Sequence, residues 1–316
     1  MNQLPPIIKT LAFFKIYNHP LTLLELQEGL LVDRVMGWEE FKTNLDLLII
    51  KGAVIEDRGF FFLAGGDAPV AKRVGRILWE NTKMQIGARA AKILRLVPFI
   101  KLVAVCNTLS FGVSKPESDI DFFIVAKAGR LWLVRALAVF SLFIFGLYRR
   151  GTKTENKVCL SFFIDEKNLD LQKLALKDDE ISPDIYLIYW ITQIIPLINR
   201  ERTMEKFWVA NLWIKRYLAN WDFVGQAEDY RRIKENWVFS LKRKVWEFLL
   251  GGVVGNFWEK FFKKIQLIKM QGHKKTRRFD GSSAVVVNDE ILKFHEEDRR
   301  ELFRKMWKEN LNNINV

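Results

Sequence analysis

Two aspartates stand two residues apart at the start of an apolar run, in the segment SDIDFFIV of residues 118–125. The composition of residues 119–125 predicts a buried strand, and residues two apart on a strand project from the same face. Asp119 and Asp121 would then lie side by side at the mouth of a central strand, where their like charges repel. A divalent cation such as Mg²⁺ between them would cancel this repulsion. The alternative is an ordinary solvated strand entry, because Asp-x-Asp is a common tripeptide.

An apolar strand and a turn of small polar residues precede the two aspartates. Residues 101–106 are of strand type, and Asn107, Thr108 and Ser110 follow them in a turn. This order resembles the signature of the polymerase-beta-like nucleotidyltransferase superfamily, in which an apolar strand, Gly-Ser and a spacer precede Asp-x-Asp. The resemblance implies an α/β (α+β) mixed sheet with flanking helices and transfer of a nucleoside monophosphate from a nucleoside triphosphate (NTP) to an acceptor. Asp119 and Asp121 match the carboxylate pair of that signature.

The resemblance also implies roles for individual residues. Asp119 and Asp121 would hold two Mg²⁺ ions, and Asn107, Thr108 and Ser110 would cradle the phosphates. Asn107 stands where the family has a glycine that lets the backbone approach the triphosphate closely. Asparagine tolerates left-handed turn geometry better than most residues, so the turn can still form.

A third acid is expected, by the same resemblance, on a later strand. Residues 158–165 (VCLSFFID) form a β-rich run whose one carboxylate is Asp165, the candidate third metal ligand and activator of the acceptor hydroxyl. Two alternatives remain open: Asp165 ends the strand and begins a turn, or Ser161 occupies the family position and the third ligand is missing. Arg130 or Arg135 could reach a triphosphate, or could lie at a helix edge with the charged group in water.

Composition narrows the class of partner. The 316 residues carry a formal net charge of +13, which favours polyanions such as nucleotides, nucleic acid or an anionic membrane surface. Cys106 and Cys159 fall in predicted core strands and indicate buried thiols in a reducing cytoplasm. No histidine or cysteine spacing indicates zinc, and the N-terminus shows no secretory signal. We therefore expect a cytoplasmic protein.

The chain divides into three predicted parts. Residues 1–68 predict three helices and a hairpin, which resembles a winged-helix module. The third helix presents mostly acidic and neutral side chains outward, so a structural or protein-contact role is favoured over DNA binding. A basic helix at 69–97 opens the nucleotidyltransferase-like part, residues 69–175. Residues 176–316 predict a helical C-terminal domain, in which 183–198 and 289–312 are helical and the aromatic residues belong to the core.

Two segments raise the question of membrane contact. Residues 131–148 are apolar enough for a marginal transmembrane helix, but they lie between two strands of one sheet, so a buried helix packed on the sheet is favoured. Residues 240–278 hold eleven Lys and Arg against two Glu, interleaved with aromatic residues. That composition suits an anionic membrane surface or RNA, or a helix packed on the core with a solvated basic face.

Three hypotheses about function follow. The first is an Mg²⁺-dependent nucleotidyltransferase with an unidentified acceptor, which could be RNA, a small molecule or a protein. The second is a catalytically weakened protein of the same fold that binds nucleotides or nucleic acid. The third is a peripheral membrane protein held by residues 240–278, with no integral membrane span.

Overall fold

The computed structural model describes residues 4–65, 69–151, 153–177, 183–222, 232–271, 285–294 and 298–314. Within these ranges the chain is a mixed α/β protein with one three-stranded and one six-stranded sheet. The mixed sheet with flanking helices expected from the sequence is therefore present at this coarse level.

The N-terminal part contains the predicted helices and hairpin. Its elements are α1 (Pro6–Lys15), β1 (Leu21–Thr22), α2 (Leu23–Glu28), α3 (Trp38–Ile50), β2 (Val54–Asp57) and β3 (Phe60–Leu63). Thr22 and Glu25 form the capping box that their spacing predicts, because each side chain accepts a hydrogen bond from the other residue's backbone N–H. The exposed positions of α3 include Glu39 and Asp46, a surface that does not attract phosphate.

The six-stranded sheet forms the centre of the molecule. Its strands are β4 (Ile100–Val105), β5 (Ile120–Ala126), β6 (Val158–Asp165), β7 (Ile195–Asn199), β8 (Val285–Val287) and β9 (Ile291–Phe294). The spatial order is β7-β4-β5-β6-β9-β8. Strands β5 and β6 are parallel, whereas the other neighbouring pairs are antiparallel.

Helices cover both faces of this sheet. They are α4 (Pro69–Leu94), α5 (Asn107–Ser110), α6 (Leu131–Ile144), α7 (Ile185–Gln193), α8 (Thr203–Ala210), α9 (Trp237–Leu249), α10 (Gly252–Gln271) and α11 (Arg300–Asn312), with 3₁₀ turns at Gln172–Leu174 and Leu212–Arg216. Alternate side chains of β5 enter two different cores: Phe123 and Val125 join that of α1 and α7, whereas Phe122 and Ile124 join that of α4 and α6. Burial on both faces explains why β5 is apolar at nearly every position.

The C-terminal part departs from the helical prediction. After α7 the chain forms β7, which pairs with β4 and lies at the sheet edge. Pro196 explains the change, because proline disfavours helix at the preceding residue and is tolerated in an edge strand. Within 289–312, the single predicted helix is replaced by β9 and α11. The sheet thus takes strands from both sides of residue 175.

The apolar segment after β5 forms a helix packed on the sheet, which is the interpretation favoured from the sequence. Helix α6 packs against β6, α4 and α10. Among the residues that the structure describes, no helix is both long and apolar enough to cross a membrane. The basic stretch 274–278 lies outside the described residues.

Candidate functional site

Asp119 and Asp121 line a cavity of about 770 Å³ at the end of β5 where that strand begins. Lys83 of α4 fixes the loop that leads into the strand. Its Nζ donates hydrogen bonds to the carbonyl oxygens of Pro116 (2.8 Å) and Ser118 (2.6 Å) and to Asn156 Oδ1 (3.1 Å). Because Ser118 directly precedes Asp119, these bonds hold the backbone that carries the first carboxylate.

Asn107 links the turn to the second carboxylate. Its φ of 57° is left-handed, a geometry that asparagine tolerates better than most residues. Its Oδ1 accepts hydrogen bonds from Trp190 Nε1 (2.9 Å) and Tyr186 OH (3.4 Å), and its side chain also hydrogen bonds to Asp121, which lowers the pKa of that carboxyl. The asparagine side chain therefore occupies space that a glycine would leave for a ligand, and it orients Asp121.

The other two turn residues differ in position. Thr108 is exposed and lines the same cavity, where its hydroxyl can meet a ligand. Ser110 is buried, its Oγ donates to the Asn107 carbonyl oxygen (2.9 Å), and it lines a separate cavity of about 410 Å³. The structure therefore does not bring Ser110 to the cavity of Asp119 and Asp121, and its hydroxyl proton is used inside the turn.

The carboxylates of the site are in contrasting electrostatic states. Arg149 Nη1 donates to Asp119 Oδ2 at 2.5 Å, so an ion pair compensates the first charge. Burial, followed by the neighbouring charge of Asp119, raises the pKa of Asp121 to about 7. Burial and the charges of the same two carboxylates raise the pKa of Cys159 to about 12, so its side chain is a thiol at neutral pH. A bound cation would relieve the cost of keeping two carboxylates ionised here.

The residues present fit one magnesium ion. Asp119, Asp121 and Cys159 each offer one ligand atom, and these atoms all lie within 4.8 Å of one another. Two carboxylates plus phosphate and water oxygens are a normal Mg²⁺ ligand set. A thiol is a soft ligand that Mg²⁺ avoids. Because Cys159 is the register partner of Asp121 on β6, the predicted second ion lacks an oxygen ligand at this position.

Asp165 is not brought to this site. It pairs with Ala126, five residues beyond Asp121 along β5, which is about 17 Å at strand spacing. Its Oδ1 accepts from the Lys167 backbone N–H (2.8 Å) and from Asn168 Nδ2 (2.9 Å). The structure therefore does not bring Asp165 to Asp119 and Asp121: the residue ends the strand and begins a turn, which was one of the two alternatives.

One of the two candidate arginines, Arg130, also lies away from the cavity, whereas the other, Arg135, lines it. Arg130 lies near the far end of β5, where it donates to Asn256 Oδ1 (2.8 Å) and stands over the ring of Phe99. Arg130 is therefore not brought to the cavity of Asp119 and Asp121. Arg135 does line the cavity. Its guanidinium lies 4.6 Å from the ring centroid of Phe294 and hydrogen bonds to Gln266.

Several cavity residues come from parts of the chain that carry no recognisable motif. Five basic side chains line the cavity, against the three acids Asp119, Asp121 and Asp298; they are Arg135, Arg149, Lys293, Arg299 and Arg300. Burial, followed by the charge of Arg300, lowers the pKa of Lys293 to about 8. Cys159 comes to Asp121 only through the register between β5 and β6, which neither segment gives by itself. No sequence signal singles out Lys293 or Arg300, because β9 and α11 reach the site only through the fold.

Comparison with known proteins identifies no relative. No protein-family description, no curated protein and no solved structure matches the chain. Its function must therefore be inferred from the chemistry of the cavity.

Proposed function

We propose that this chain binds a nucleoside triphosphate together with Mg²⁺ in the cavity at Asp119 and Asp121, and transfers the nucleoside monophosphate to an acceptor hydroxyl. The observation that supports the proposal is the meeting of this carboxylate pair, the Asn107–Thr108 turn and a surplus of basic side chains in one cavity. Phosphate oxygens complete a magnesium shell, and arginines bind phosphate well. The expected resemblance to polymerase-beta-like nucleotidyltransferases agrees with these three features.

The residues would divide the work as follows. Asp119 and Asp121 would hold the cation, which supplies charge neutralisation for the triphosphate when it is bound. Thr108 would donate a hydrogen bond from its hydroxyl to a phosphate oxygen, and the guanidinium of Arg149 would face the negative charge of the triphosphate. In the reaction, the acceptor oxygen forms a bond to the α-phosphorus while the bond to pyrophosphate breaks, and the acceptor proton passes to water. Positioning and charge cancellation carry most of such a transfer.

A second candidate function is nucleotide binding without transfer. It is favoured by one observation, the thiol of Cys159 at the ladder position beside Asp121, with Asp165 at the other end of the strand. Among the described residues, the third acid of the cavity, Asp298, is paired with Arg300 (2.6 Å). The chain would then offer a weaker second cation site and a poorer group to activate the acceptor. The domain organisation, with a winged-helix-like N-terminal part, is compatible with either function.

The test is to measure binding and transfer on the same samples. Wild-type protein is titrated with each NTP in Mg²⁺ and in excess chelator, and release of pyrophosphate is followed with RNA and small alcohols as acceptors. The variant is Asp121→Asn, and the matched control is Asp165→Asn, the same change on the neighbouring strand. We expect Mg²⁺-dependent binding that falls by about tenfold to a hundredfold in Asp121→Asn and is unchanged in Asp165→Asn.

The outcomes separate the two functions. Asp121-dependent release of pyrophosphate supports transfer. Asp121-dependent binding without release from any NTP and acceptor supports the second function. If neither binding nor release depends on Asp121, both are overturned.

A further inference from the structure

Helices α9 and α10 carry apolar rows that face solvent. Residues four apart lie on one face of a helix, and each helix has such a row of exposed side chains. The rows are Trp237, Leu241, Val245 and Leu249 on α9, and Val253, Phe257, Phe261 and Ile265 on α10. Phe248 and Ile268 add further exposed apolar area beside them. An amphipathic helix on a globular protein normally turns its apolar stripe inward. Helix α10 does pack Trp258 and Phe262 against the core, so the exposed rows are apolar surface beyond what the core uses.

The acids of these helices face inward and are bonded to the core. Glu247 Oε1 accepts from the Phe99 backbone N–H (2.9 Å) and from Arg243 (2.9 Å). Glu259 accepts from the backbone N–H groups of Trp132 (2.9 Å) and Leu133 (2.8 Å) at the start of α6, where a carboxylate is also favoured by the helix dipole. These contacts fix the orientation of both helices and thus hold the apolar rows outward.

The exposed charges on the two helices have a single sign. Five lysines of α9 and α10 are exposed, and no acid of these helices is; the lysines are Lys242, Lys244, Lys260, Lys264 and Lys269. Exposed aromatic and aliphatic rows on helices whose exposed charged residues are lysines match the surface of an interfacial helix. Exposed apolar rows of this kind mark an interaction site.

We propose that the outer face of α9 and α10, residues 237–271, docks on an anionic lipid membrane. The lysines would meet lipid phosphates while Trp237, Phe257 and their neighbours enter the acyl boundary. A second copy of the chain fits less well, because pairing this face with itself would bring lysines against lysines. Single-stranded nucleic acid also fits less well, because aliphatic side chains such as Val253 and Ile265 cannot stack on bases.

The test uses the full-length protein and co-sedimentation with vesicles of phosphatidylcholine alone or with one-third phosphatidylglycerol. The apolar variant is Phe248→Ser with Val253→Ser, whose side chains are 86% and 85% exposed; the matched control is Ile50→Ser with Leu78→Ser, at 81% and 78%. The charge variant is Lys260→Glu with Lys264→Glu, and its control with the same net charge is Lys51→Glu with Lys92→Glu. Circular dichroism establishes that each variant folds.

We expect binding to the anionic vesicles and at least tenfold weaker binding to phosphatidylcholine. Both surface variants should lose about tenfold or more in affinity, since each lysine near the membrane contributes appreciably, and both controls should bind like wild type. Wild-type protein that fails to bind anionic vesicles at low salt overturns the proposal. So does self-association, or binding of a single-stranded oligonucleotide, that is lost in the surface variants while vesicle binding is retained.

Discussion

The two ends of the β5–β6 strand pair carry similar residues in opposite states. At one end Asp119 and Asp121 open onto the 770 Å³ cavity, next to Arg149. At the other end Asp165 and Arg130 are engaged with the protein itself, through the turn N–H of Lys167 and the side chain of Asn256. Each end has an acid and an arginine close to the strands: Arg130 follows β5 closely in sequence, and the Arg149 backbone N–H donates to the Val158 carbonyl oxygen at the start of β6. What differs is whether the backbone and neighbouring side chains already fill the hydrogen-bonding capacity of the charged groups.

This contrast separates charges that hold the fold from charges that remain for a ligand. A carboxylate that accepts hydrogen bonds from the backbone of its own turn already has partners, so burying it costs little free energy. Two carboxylates on one strand face, only one of which has an arginine partner in close contact, are costly until a cation or proton arrives. The following predictions test the contrast, from the largest expected effect to the smallest.

The largest effect should come from Arg300, a basic residue of the cavity wall that serves the fold. It donates to Asp184 (2.9 Å) and to Asp298 (2.6 Å), and it is almost completely buried. Arg300→Met should lower the free energy of unfolding by about 3–5 kcal/mol, because Asp184 would be left as a buried charge. Urea denaturation measures the change. Lys305→Met on the same helix, where both members of the ion pair are exposed, should cause no measurable loss.

A smaller loss of stability should follow a change at the turn end. Asp165→Ala removes the acceptor for Lys167 and Asn168 and should cost about 1–3 kcal/mol. Asp165→Asn keeps an oxygen at that position and should cost less. Nucleotide affinity should stay at the wild-type value in both variants. A drop in Mg²⁺-dependent affinity, measured by calorimetry, would show that the two ends are not independent.

Replacing the carboxylate of Asp121 at the cavity end should instead raise the free energy of unfolding. Because the pKa of Asp121 is about 7 in the folded chain and near 3.8 otherwise, the folded state holds its proton more tightly. The stabilisation from protonation is complete below pH 4 and is lost as the pH rises through 7. In chelator at pH 8, Asp121→Asn should therefore raise the free energy of unfolding by about 2 kcal/mol. This is less than the roughly 4 kcal/mol that the whole pKa change represents, because the amide also alters the hydrogen bond with Asn107. Urea melts between pH 4 and 8 should show a decline in the wild type and a flatter curve in the variant.

The smallest predicted effect is an increase in Mg²⁺ affinity. Cys159→Asp places a third carboxylate at the ladder position beside Asp121 and should raise Mg²⁺ affinity by about tenfold. Cys159→Ser offers no new charge and serves as the control. Titration calorimetry with MgCl₂ compares the two variants. Equal affinity in both would indicate that residue 159 does not face the cation.

The central strands and the N-terminal helices were predictable because their signals are local. The capping box at Thr22, the apolar run of β5 and the left-handed turn at Asn107 each follow from a few adjacent residues. Strands β7 and β9 were missed because short aliphatic runs suit helix and strand alike, and pairing partners decide between them. Asp165 was assigned to the metal site for a related reason. The register between β5 and β6, including the irregularity after Asp121, cannot be read from the sequence of either strand.

By itself the sequence determined that two carboxylates share one strand face behind a small polar turn, and that the chain is strongly basic. Only the tertiary structure decided which other groups meet them, because β6, β9 and α11 reach the cavity through long-range pairing. It also decided that the acids of α9 and α10 turn inward and the exposed apolar rows outward, since that orientation depends on backbone N–H groups distant in sequence, those of Phe99 and of Trp132 and Leu133 at the start of α6.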